Sequence, residues 1–482
     1  MIVDPGISGD RPSPLVESGL GWTPDGASTT SNDPTAGMRD RAMHLFLSTG
    51  EPSGDLHAAN LAHELKRLDP SLKLSGFGGP RLAEAGCEVI YPLTELAVMW
   101  FTRVLLNLGT FLGILRQAER FFEEHRPDLV VLIDYPGLHW WIARAAHQRG
   151  IPVVYFVPPQ IWAWAPWRIE KIKRHFDELL CSLPFEPRWY HQRGYPHATY
   201  IGHPYFDELR QRRLDPAVLE RYRSEADDAD TLAILPGSRS AEVGFNGPPL
   251  LKAAAKLAAV RPRTRFRVAA YKSTHAQTLR DMLDALDLPT DQRALLDRRL
   301  SIHVGETPEI LRVAAASWSV SGSVSLELMM EAVPSAVVYL RPRWNLWVAR
   351  RFIQVRYISL VNLIADEEIF PEFLESRDIT DDLVRLAQGW LDDPAQRARA
   401  LAGLDRVRDL CAQPGATRRA AERLLTRLHS PERMARLRQD ETSLSQPTSL
   451  APSATRFDSA HSVPCRLEPS TTHSGTIAAK VS

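Results

Sequence analysis

The sequence has few cysteines and no excess of either charge, which argues against several classes of protein. Its 482 residues include only four cysteines, Cys87, Cys181, Cys411 and Cys465, with no CxxC pair and no Cys/His cluster at metal spacing. A disulfide framework is therefore not expected, and free thiols are typical of a reducing cytoplasmic compartment. Lysine plus arginine equals aspartate plus glutamate, 58 of each, so net charge predicts neither a nucleic-acid partner nor an acidic one.

The chain also lacks an uninterrupted apolar run of about 20 residues, the length that a helix needs to span a bilayer. The long apolar stretch at 96–115 contains Arg103 and Asn107. A charge near its middle argues against a spanning helix but not against one that lies on a membrane surface. Residues 1–41 have no signal-peptide core. They are predicted to be a disordered extension, and residues 431–482 a mostly disordered tail.

Short apolar runs alternate with helical segments through the rest of the chain. Strands are predicted at 45–48, 72–77, 129–133, 153–156, 179–181, 232–235, 266–270, 301–304, 318–320 and 336–339. Helices are predicted at 53–68, with Ser53 or Asp55 as its cap, and at 248–260 and 274–286. This βαβ rhythm predicts an α/β fold with two Rossmann-like sheets that face a cleft.

The rhythm pauses near Gly202 and restarts after a charged stretch. We therefore expect a first Rossmann-like domain at 42–208, a linker at 209–230, a second Rossmann-like domain at 231–376 and closing helices at 377–430. Ligands of such sheets bind at the carboxyl ends of the strands. The cleft between the two sheets is thus the predicted site.

Two small-residue turns in the second half each separate a predicted strand from a predicted helix. They are Leu235-Pro-Gly-Ser-Arg239 and Ser321-Gly-Ser-Val-Ser-Leu-Glu327. Turns of this kind offer backbone N–H groups to an anion. Arg239 adds a cation for phosphate, and Glu327 adds an acceptor pair for a sugar diol. Together they predict a nucleotide diphosphate site, with a surface arginine and an exposed helix glutamate as the alternatives.

The first half has a similar turn, Ser48-Thr-Gly-Glu-Pro-Ser-Gly-Asp55, without the GxGxxG spacing of dinucleotide sites. Asp134 ends an apolar strand in the segment Ile133-Asp-Tyr-Pro-Gly137. A partly desolvated carboxylate at this place can take a proton from an attacking hydroxyl. The alternative role for Asp134 is a helix N-cap.

Residues 158–167 form a tryptophan-rich loop. The basic residues that follow it are Arg168, Lys171, Lys173 and Arg174. Together with the stretch at 96–115, they suit an anionic lipid surface. A structural tryptophan cluster and a solvated helix face are the alternatives.

These segments resemble the lipid-A-disaccharide synthases, which are glycosyltransferases of family 19. The resemblance runs from about Met43 to Glu375. It rests on STGEPSGD, GFGGPRLAEAGCE, AVMWF, IDYPG, PQIWAW, LPFE, GHPYFDEL, LPGSR, SGSVSLE and YISLVNLIADEEIFPEFL. It implies a GT-B type fold, in which the first domain holds the acceptor and faces the membrane and the second holds the UDP-sugar.

The resemblance also implies an activity. An inverting enzyme of lipid A biosynthesis would condense UDP-2,3-diacylglucosamine with 2,3-diacylglucosamine 1-phosphate, giving lipid A disaccharide 1-phosphate and UDP. It implies no metal, no cofactor and no nucleic-acid partner. It places the protein in the cytoplasm, peripherally associated with the inner face of the inner membrane, and leaves a homodimer open.

Site residues carry over by position. The resemblance assigns catalytic roles to Asp134 and Asn362. It assigns the UDP-sugar contacts to Gly237, Ser238, Arg239, Gly322, Ser323 and Glu327. It places at the cleft of the first domain Glu51, Ser53, Gly54, Asp55 and Gln160. The chain departs from residues common in the family at Pro52, Arg103, His139, Pro158, Val361 and Glu375.

Two other functions fit parts of the pattern. A UDP-sugar 2-epimerase shares the two-domain architecture, but it needs no lipid surface and leaves the stretch at 96–115 unexplained. A non-catalytic nucleotide-sugar-binding paralogue would bind UDP without any transfer.

Overall fold

The computed structural model of the chain describes residues 42–94, 108–225, 229–340 and 354–430. Both predicted extensions and most of the apolar stretch at 96–115 lie outside the described residues. Two parallel sheets with helices on their faces make up the fold. Both belong to one compact unit that ends at Leu428.

The first sheet has seven parallel strands in the order β3-β2-β1-β4-β5-β6-β7. Its strands are β1 His44–Thr49, β2 Lys73–Phe77, β3 Glu88–Tyr91, β4 Leu129–Ile133, β5 Val153–Phe156, β6 Glu178–Cys181 and β7 Ala198–Tyr200. The central strands β1, β4, β5 and β6 are buried along their whole length. Continuous burial explains their continuous apolar sequence.

Helices connect these strands and continue into the linker. They are α1 Pro52–Leu68, α2 Pro80–Glu84, α3 Leu108–His125, α4 Pro136–Gln148, α5 Ile161–Trp164, α6 Ile169–His175, α7 Glu186–His191, α8 Pro204–Gln211 and α9 Pro216–Ser224. A single 3₁₀ turn, Pro166–Arg168, lies between α5 and α6.

The second sheet repeats the pattern with six parallel strands in the order β10-β9-β8-β11-β12-β13. Its strands are β8 Thr231–Leu235, β9 Arg265–Ala270, β10 Leu300–Val304, β11 Ala314–Ser319, β12 Ser335–Leu340 and β13 Glu372–Glu375. Its helices are α10 Ser240–Val260, α11 Ser273–Asp284, α12 Thr290–Arg299, α13 Thr307–Val313, α14 Val324–Met330, α15 Leu360–Ala365, α16 Thr380–Asp392, α17 Pro394–Cys411 and α18 Ala416–Leu428.

Each sheet reverses its strand order once, between β1 and β4 and between β8 and β11. Connections leave such a pair of strands toward opposite faces of the sheet, which opens a crevice at the carboxyl ends. The segments after β1 and β4 carry Glu51 and Asp134, and those after β8 and β11 carry Arg239 and Ser323. The predicted fold class is confirmed, and the topology puts these four segments at the two crevices.

The two sheets share a buried cluster. Trp162, Leu183 and Phe206 from the first half pack in the same cluster as Leu235 and Val337 from the second half. The last helix, α18, packs back on α1. The chain thus returns to the first sheet after completing the second, which the prediction of closing helices did not specify.

Some predicted boundaries were wrong. Strands β3, β7 and β13 were missed, and all three are edge strands, which are half-exposed and carry no continuous apolar run. Helix α10 begins at Ser240 rather than at Pro248, with the two prolines inside it. Proline marks a helix start only where no earlier residue nucleates the first turn, and here Glu242 organises that turn.

The cap predicted for α1 was also wrong. The N-cap position is Glu51, and the Asp55 carboxylate accepts hydrogen bonds from the backbone N–H groups of Gly79 at 2.7 Å and Arg81 at 3.1 Å. Asp55 therefore ties the turn before α2 to α1.

Among the helices of the described residues, none is long and apolar enough to cross a membrane.

Candidate active site

Asp134 lies directly after β4, beside the turn that follows β1. Its φ angle is +43°, in the left-handed region that residues other than glycine rarely adopt. The N-cap position of α4 is Tyr135 rather than Asp134. The alternative role of Asp134 as an N-cap is thus wrong, and its half-buried carboxylate stands at the crevice of the first sheet.

Two glycines let the neighbouring turn approach this position closely. A Cβ atom on Gly50 would lie 2.4 Å from the Tyr135 ring. A Cβ atom on Gly54 would lie 2.3 Å from Thr49 Oγ1 and 3.7 Å from the Asp134 Cβ. Gly50 therefore permits close packing against the Tyr135 ring, and Gly54 permits close packing against Thr49.

The surroundings of Asp134 shift its titration toward neutral pH. Burial raises the pKa of Asp134 to about 6, the His57 imidazole lowers it, and the Glu51 carboxylate raises it. His57 itself is buried, with its Nδ1 atom 2.7 Å from Glu208 Oε1. A carboxylate with a pKa near neutrality is suited to accept a proton in a reaction.

Glu51 connects this crevice to the second sheet. Burial raises the pKa of Glu51, while the Arg239 guanidinium lowers it. The two side chains therefore interact across the space between the sheets. Ser53 is exposed in the first turn of α1, and Gln160 is exposed just before α5. Asp55 is buried in the contacts with Gly79 and Arg81. Asp55 is thus placed behind the cleft rather than in it.

The turn after β8 differs from the prediction in one important respect. Glu242 Oε2 accepts hydrogen bonds from the backbone N–H groups of Ser238 at 3.1 Å and Arg239 at 3.2 Å. Glu242 Oε1 lies 3.1 Å from Arg239 Nη1. Gly237 has a φ of +127°, and a Cβ there would lie 2.5 Å from the Glu242 Cβ. The expected offer of these two N–H groups to an anion is therefore wrong, because a carboxylate of the chain already occupies them.

The side chain of Arg239 nevertheless remains accessible. It is 68% exposed despite the ion pair with Glu242. The pair leaves most of the planar guanidinium open to the space between the sheets. An exposed guanidinium can offer paired N–H donors to an anion.

The turn after β11 lies next to this one, because Ser319 pairs with Leu235 in the sheet. Ser321 Oγ donates to the carbonyl oxygen of Ile358 at 2.5 Å. Gly322 and Ser323 are exposed, and Ser323 takes the N-cap position of α14. The two predicted turns are thus neighbours at one crevice, as the motif argument required.

Glu327 is buried on α14, and its carboxylate is held by residues of α8 and of the segment that follows it. Tyr205 Oη donates to Glu327 Oε1, and Arg212 Nη1 lies 2.6 Å from Glu327 Oε2. A pocket of about 490 Å³ opens beside these groups, between α8, α13 and α14. The exposed-glutamate alternative is wrong, because Glu327 is buried and its carboxylate is bonded to Tyr205 and Arg212.

Asn362 lies on α15 with no exposed surface. Its Oδ1 atom accepts from the N–H groups of Ile369 at 2.9 Å and Phe370 at 2.8 Å. Its Nδ2 atom donates to the Phe370 carbonyl at 2.7 Å and to Glu372 Oε1 at 2.8 Å. The structure therefore ties Asn362 into the scaffold behind the turn at 321–323 rather than opening it to the cleft.

Sequence reasoning missed three residues of this site, Tyr205, Arg212 and Glu242. Glu242 had a usable signal, because a glutamate three residues after a helix start is typical of an N-terminal capping arrangement. Tyr205 and Arg212 gave no local signal. They reach Glu327 from 122 and 115 residues away.

The first half also exposes apolar side chains around α3, α4 and α5. Trp141 is 48% exposed and Trp167 is 59% exposed, with Leu112 and Trp164 also exposed. The Arg168 guanidinium lies 4.4 Å from the Trp164 ring centroid. By contrast, Trp162 is buried and donates its indole N–H to Glu186 Oε1 at 3.0 Å. The tryptophan-rich loop thus combines a structural part with a surface part.

In the four described ranges, no group of three or more histidine, cysteine, aspartate or glutamate residues is placed to hold a metal ion. The three cysteines of these ranges, Cys87, Cys181 and Cys411, are buried free thiols.

Known proteins resemble this chain in sequence and in fold. A family model described as lipid-A-disaccharide synthetase matches residues 45–402. A lipid-A-disaccharide synthase of Anaeromyxobacter sp. (strain K) is 36% identical over 392 residues, which are 79% of this chain and 96% of that protein.

Two solved structures share the fold. The UDP-GlcNAc 2-epimerase of Neisseria meningitidis, bound to UDP-GlcNAc, has a TM-score of 0.51 at 13% identity, covering 80% of this chain and 99% of that one. The kitacinnamycin glycosyltransferase has a TM-score of 0.51 at 17% identity, covering 81% of this chain and 100% of that one. At such identities the likeness concerns the fold alone.

Proposed function

Because the chain belongs to the lipid-A-disaccharide synthetase family, we propose that it is a glycosyltransferase that joins two acylated glucosamines. The donor is UDP-2,3-diacylglucosamine, and the acceptor is 2,3-diacylglucosamine 1-phosphate. The products are lipid A disaccharide 1-phosphate and UDP. The observation that carries the proposal is the pair of crevices, one with a carboxylate of raised pKa and one with phosphate and sugar partners.

Asp134 is the base in this proposal. The acceptor 6-hydroxyl gives its proton to the Asp134 carboxylate as its oxygen attacks the anomeric carbon of the donor. The bond from that carbon to the UDP oxygen breaks on the opposite side, and UDP leaves with the electron pair. A pKa of about 6 leaves Asp134 mostly ionised at neutral pH and makes it a stronger base than an ordinary carboxylate.

Arg239 and the turn at 321–323 bind the donor diphosphate in this proposal. The N–H groups of Ser238 and Arg239 are bonded to Glu242, so the phosphate contact of the first turn falls to the Arg239 guanidinium. Glu51, which interacts with Arg239, helps to aim it across the cleft. A charge-assisted guanidinium contact stabilises the negative charge that develops on the leaving group.

Glu327 binds the ribose hydroxyls of the donor. Each carboxylate oxygen has a second lone pair beyond those that Tyr205 and Arg212 occupy. Tyr205 and Arg212 thus fix the carboxylate in one orientation before the nucleotide arrives. A prepositioned acceptor pays less ordering entropy on binding.

We assign Asn362 a positioning role in place of the direct catalytic role that the resemblance implied. Asn362 and the backbone N–H groups of Ile358 and Ser359 all bond to Glu372. The Ile358 carbonyl in turn accepts from Ser321. This path connects Asn362 to the diphosphate turn without any contact with substrate.

The exposed side chains Leu112, Trp141, Trp164 and Trp167 form the aromatic patch, the part of the first half that we assign to acyl chains and the lipid surface. Arg168 and Lys171 lie against tryptophan rings in the same region. Aromatic rings with neighbouring cations favour the boundary between acyl chains and anionic headgroups. The first half, at 42–208, is accordingly the acceptor side, and the half at 231–376 is the UDP-sugar side.

The test is transfer by the purified full-length chain in detergent, with both acylated substrates and mass spectrometry of the products. We expect a disaccharide 1-phosphate and an equal amount of UDP. A folded chain that releases neither product would overturn the proposal. Turnover of UDP-N-acetylglucosamine without an acceptor would instead favour the 2-epimerase alternative, and UDP binding without transfer would favour the non-catalytic one.

A further inference from the structure

A buried polar chain lies behind Asp134 and joins strands β1 and β5 through helix α4. Ser48 Oγ on β1 is 3.0 Å from His139 Nε2 on α4. His139 Nδ1 is 3.4 Å from Tyr155 Oη on β5. The Tyr155 oxygen accepts the backbone N–H of Tyr135 at 3.3 Å. This chain, Ser48–His139–Tyr155, thus ends on the peptide group that joins Asp134 to Tyr135.

The protonation states of His139 and Tyr155 follow from their burial. Burial lowers the pKa of His139 to about 3 and raises the pKa of Tyr155 well above its usual range. Both groups are therefore neutral near pH 7. With Tyr155 Oη accepting the Tyr135 N–H, we assign its own proton to His139 Nδ1. The other ring nitrogen then carries the hydrogen and donates to Ser48.

The polar chain acts where the backbone is strained. Asp134 holds a φ of +43°, and such conformations persist only where the surroundings fix them. The flanking residue Tyr135 is fixed twice, by Tyr155 at its N–H and by Gly50 beneath its ring. The direction of the Asp134 carboxylate depends on this peptide group.

We propose that Tyr155 and His139 are positioning residues that hold the Asp134–Tyr135 peptide so that the Asp134 carboxylate points into the crevice. This inference rests on the proposed role of Asp134 as the base. The contact between His139 and Tyr155, which we call the Tyr155 arm, fixes the Asp134–Tyr135 peptide. The contact between His139 and Ser48, the Ser48 arm, only orients the imidazole ring. The two arms can be separated by substitution.

The side-chain amide of asparagine reaches the position of a histidine Nδ1 atom, and that of glutamine reaches the position of Nε2. H139N therefore keeps a partner for Tyr155 and loses the one for Ser48, whereas H139Q does the reverse. Y155F removes the acceptor of the Tyr135 N–H. S48A is the matched control, because it removes one buried hydrogen bond and leaves the Tyr155 arm intact.

We expect kcat to fall by at least about tenfold in Y155F and H139Q and by less than about threefold in H139N and S48A, since misplacing a reacting group by a fraction of an ångström is costly. The UDP dissociation constant should stay within about twofold of the wild-type value in all four, because the second sheet binds UDP. In Y155F the acid limb of the pH–kcat profile should move to lower pH, because Asp134 gains solvent.

Unchanged kcat in both Y155F and H139Q would overturn the inference, and so would equal losses in H139N and H139Q. If Y155F fails to fold by its thermal transition, the comparison of the two His139 variants decides. Wild-type activity in the same assay separates this test from that of the function. An inactive wild-type chain refutes the proposed function and with it the premise of the inference, whereas an active one with insensitive variants refutes the inference alone.

Discussion

The pH dependence of transfer is the sharpest consequence of the site. Asp134 has a pKa raised from the ordinary value of 3.8 to about 6, and a base works only in its ionised form. The active fraction is therefore lost as pH falls through about 6. From the titration curve, about 0.91 of the carboxylate is ionised at pH 7 and about 0.09 at pH 5, so kcat/KM should fall about tenfold. With an ordinary pKa, kcat/KM would lose less than about a tenth of its value over the same pH range.

Two neighbours of Asp134 allow the direction of the pKa shift to be tested. Removing the Glu51 charge with E51Q takes away a carboxylate that raises the pKa of Asp134, so the acid limb should move to lower pH. Replacing the imidazole with H57N takes away the group that lowers this pKa, so the limb should move to higher pH. Each shift should stay within about one pH unit, because burial is the largest cause.

The assay is the initial rate of UDP release between pH 4.5 and 8, at limiting donor and with saturating acceptor in detergent. D134N is the reference, with turnover reduced by about 10²- to 10⁴-fold and no acid limb above the residual rate. Thermal transitions at each pH exclude unfolding as the cause of the limb. A wild-type midpoint near 4, or limbs that move the same way in E51Q and H57N, would refute the assignment of the limb to Asp134.

Three further outcomes are expected. R239A should raise the donor KM and lower kcat. We expect kcat/KM to fall about 10- to 150-fold, because a charge-assisted contact is worth about 1.5–3 kcal/mol. Near-wild-type kinetics would contradict the phosphate role. N362A should lower the free energy of unfolding, measured by denaturant titration, by about 3 kcal/mol, because the buried partners of Asn362 lose their hydrogen bonds. A stable variant with normal turnover would contradict the positioning role. The double variant W164A/W167A should lower the affinity for anionic vesicles about tenfold in a sedimentation assay. L410A, at an exposed apolar position on α17, is the control, and equal effects of the two variants would count against the aromatic patch.

Local pattern predicted much of the site. The apolar runs at β4 and β8 end at Asp134 and at the turn to Arg239, and a chain that alternates strands and helices must bring the carboxyl ends of its strands to one edge. The strand order then places those ends beside each other in pairs. The strands and the turns at their ends were predictable because strand periodicity and turn chemistry are properties of short segments, whereas the strand order came only from the structure.

Side-chain partners were not predictable in the same way. The N–H groups of Ser238 and Arg239 looked available until the structure showed Glu242 bonded to both. Asn362 looked catalytic until its amide proved to be buried with four hydrogen bonds. In both cases a motif named the residues, and the three-dimensional packing decided which of their atoms remain accessible.

The α/β architecture, the two turns of the second sheet and the acid at the end of β4 could be predicted from the sequence, because each depends on residues close together in the chain. The contacts of Tyr205 and Arg212 with Glu327, and those of His139 and Tyr155 behind Asp134, became visible only in the folded structure. These contacts join segments up to 122 residues apart. A hydrogen bond of this kind depends on where the whole fold places two side chains, and no local pattern records it.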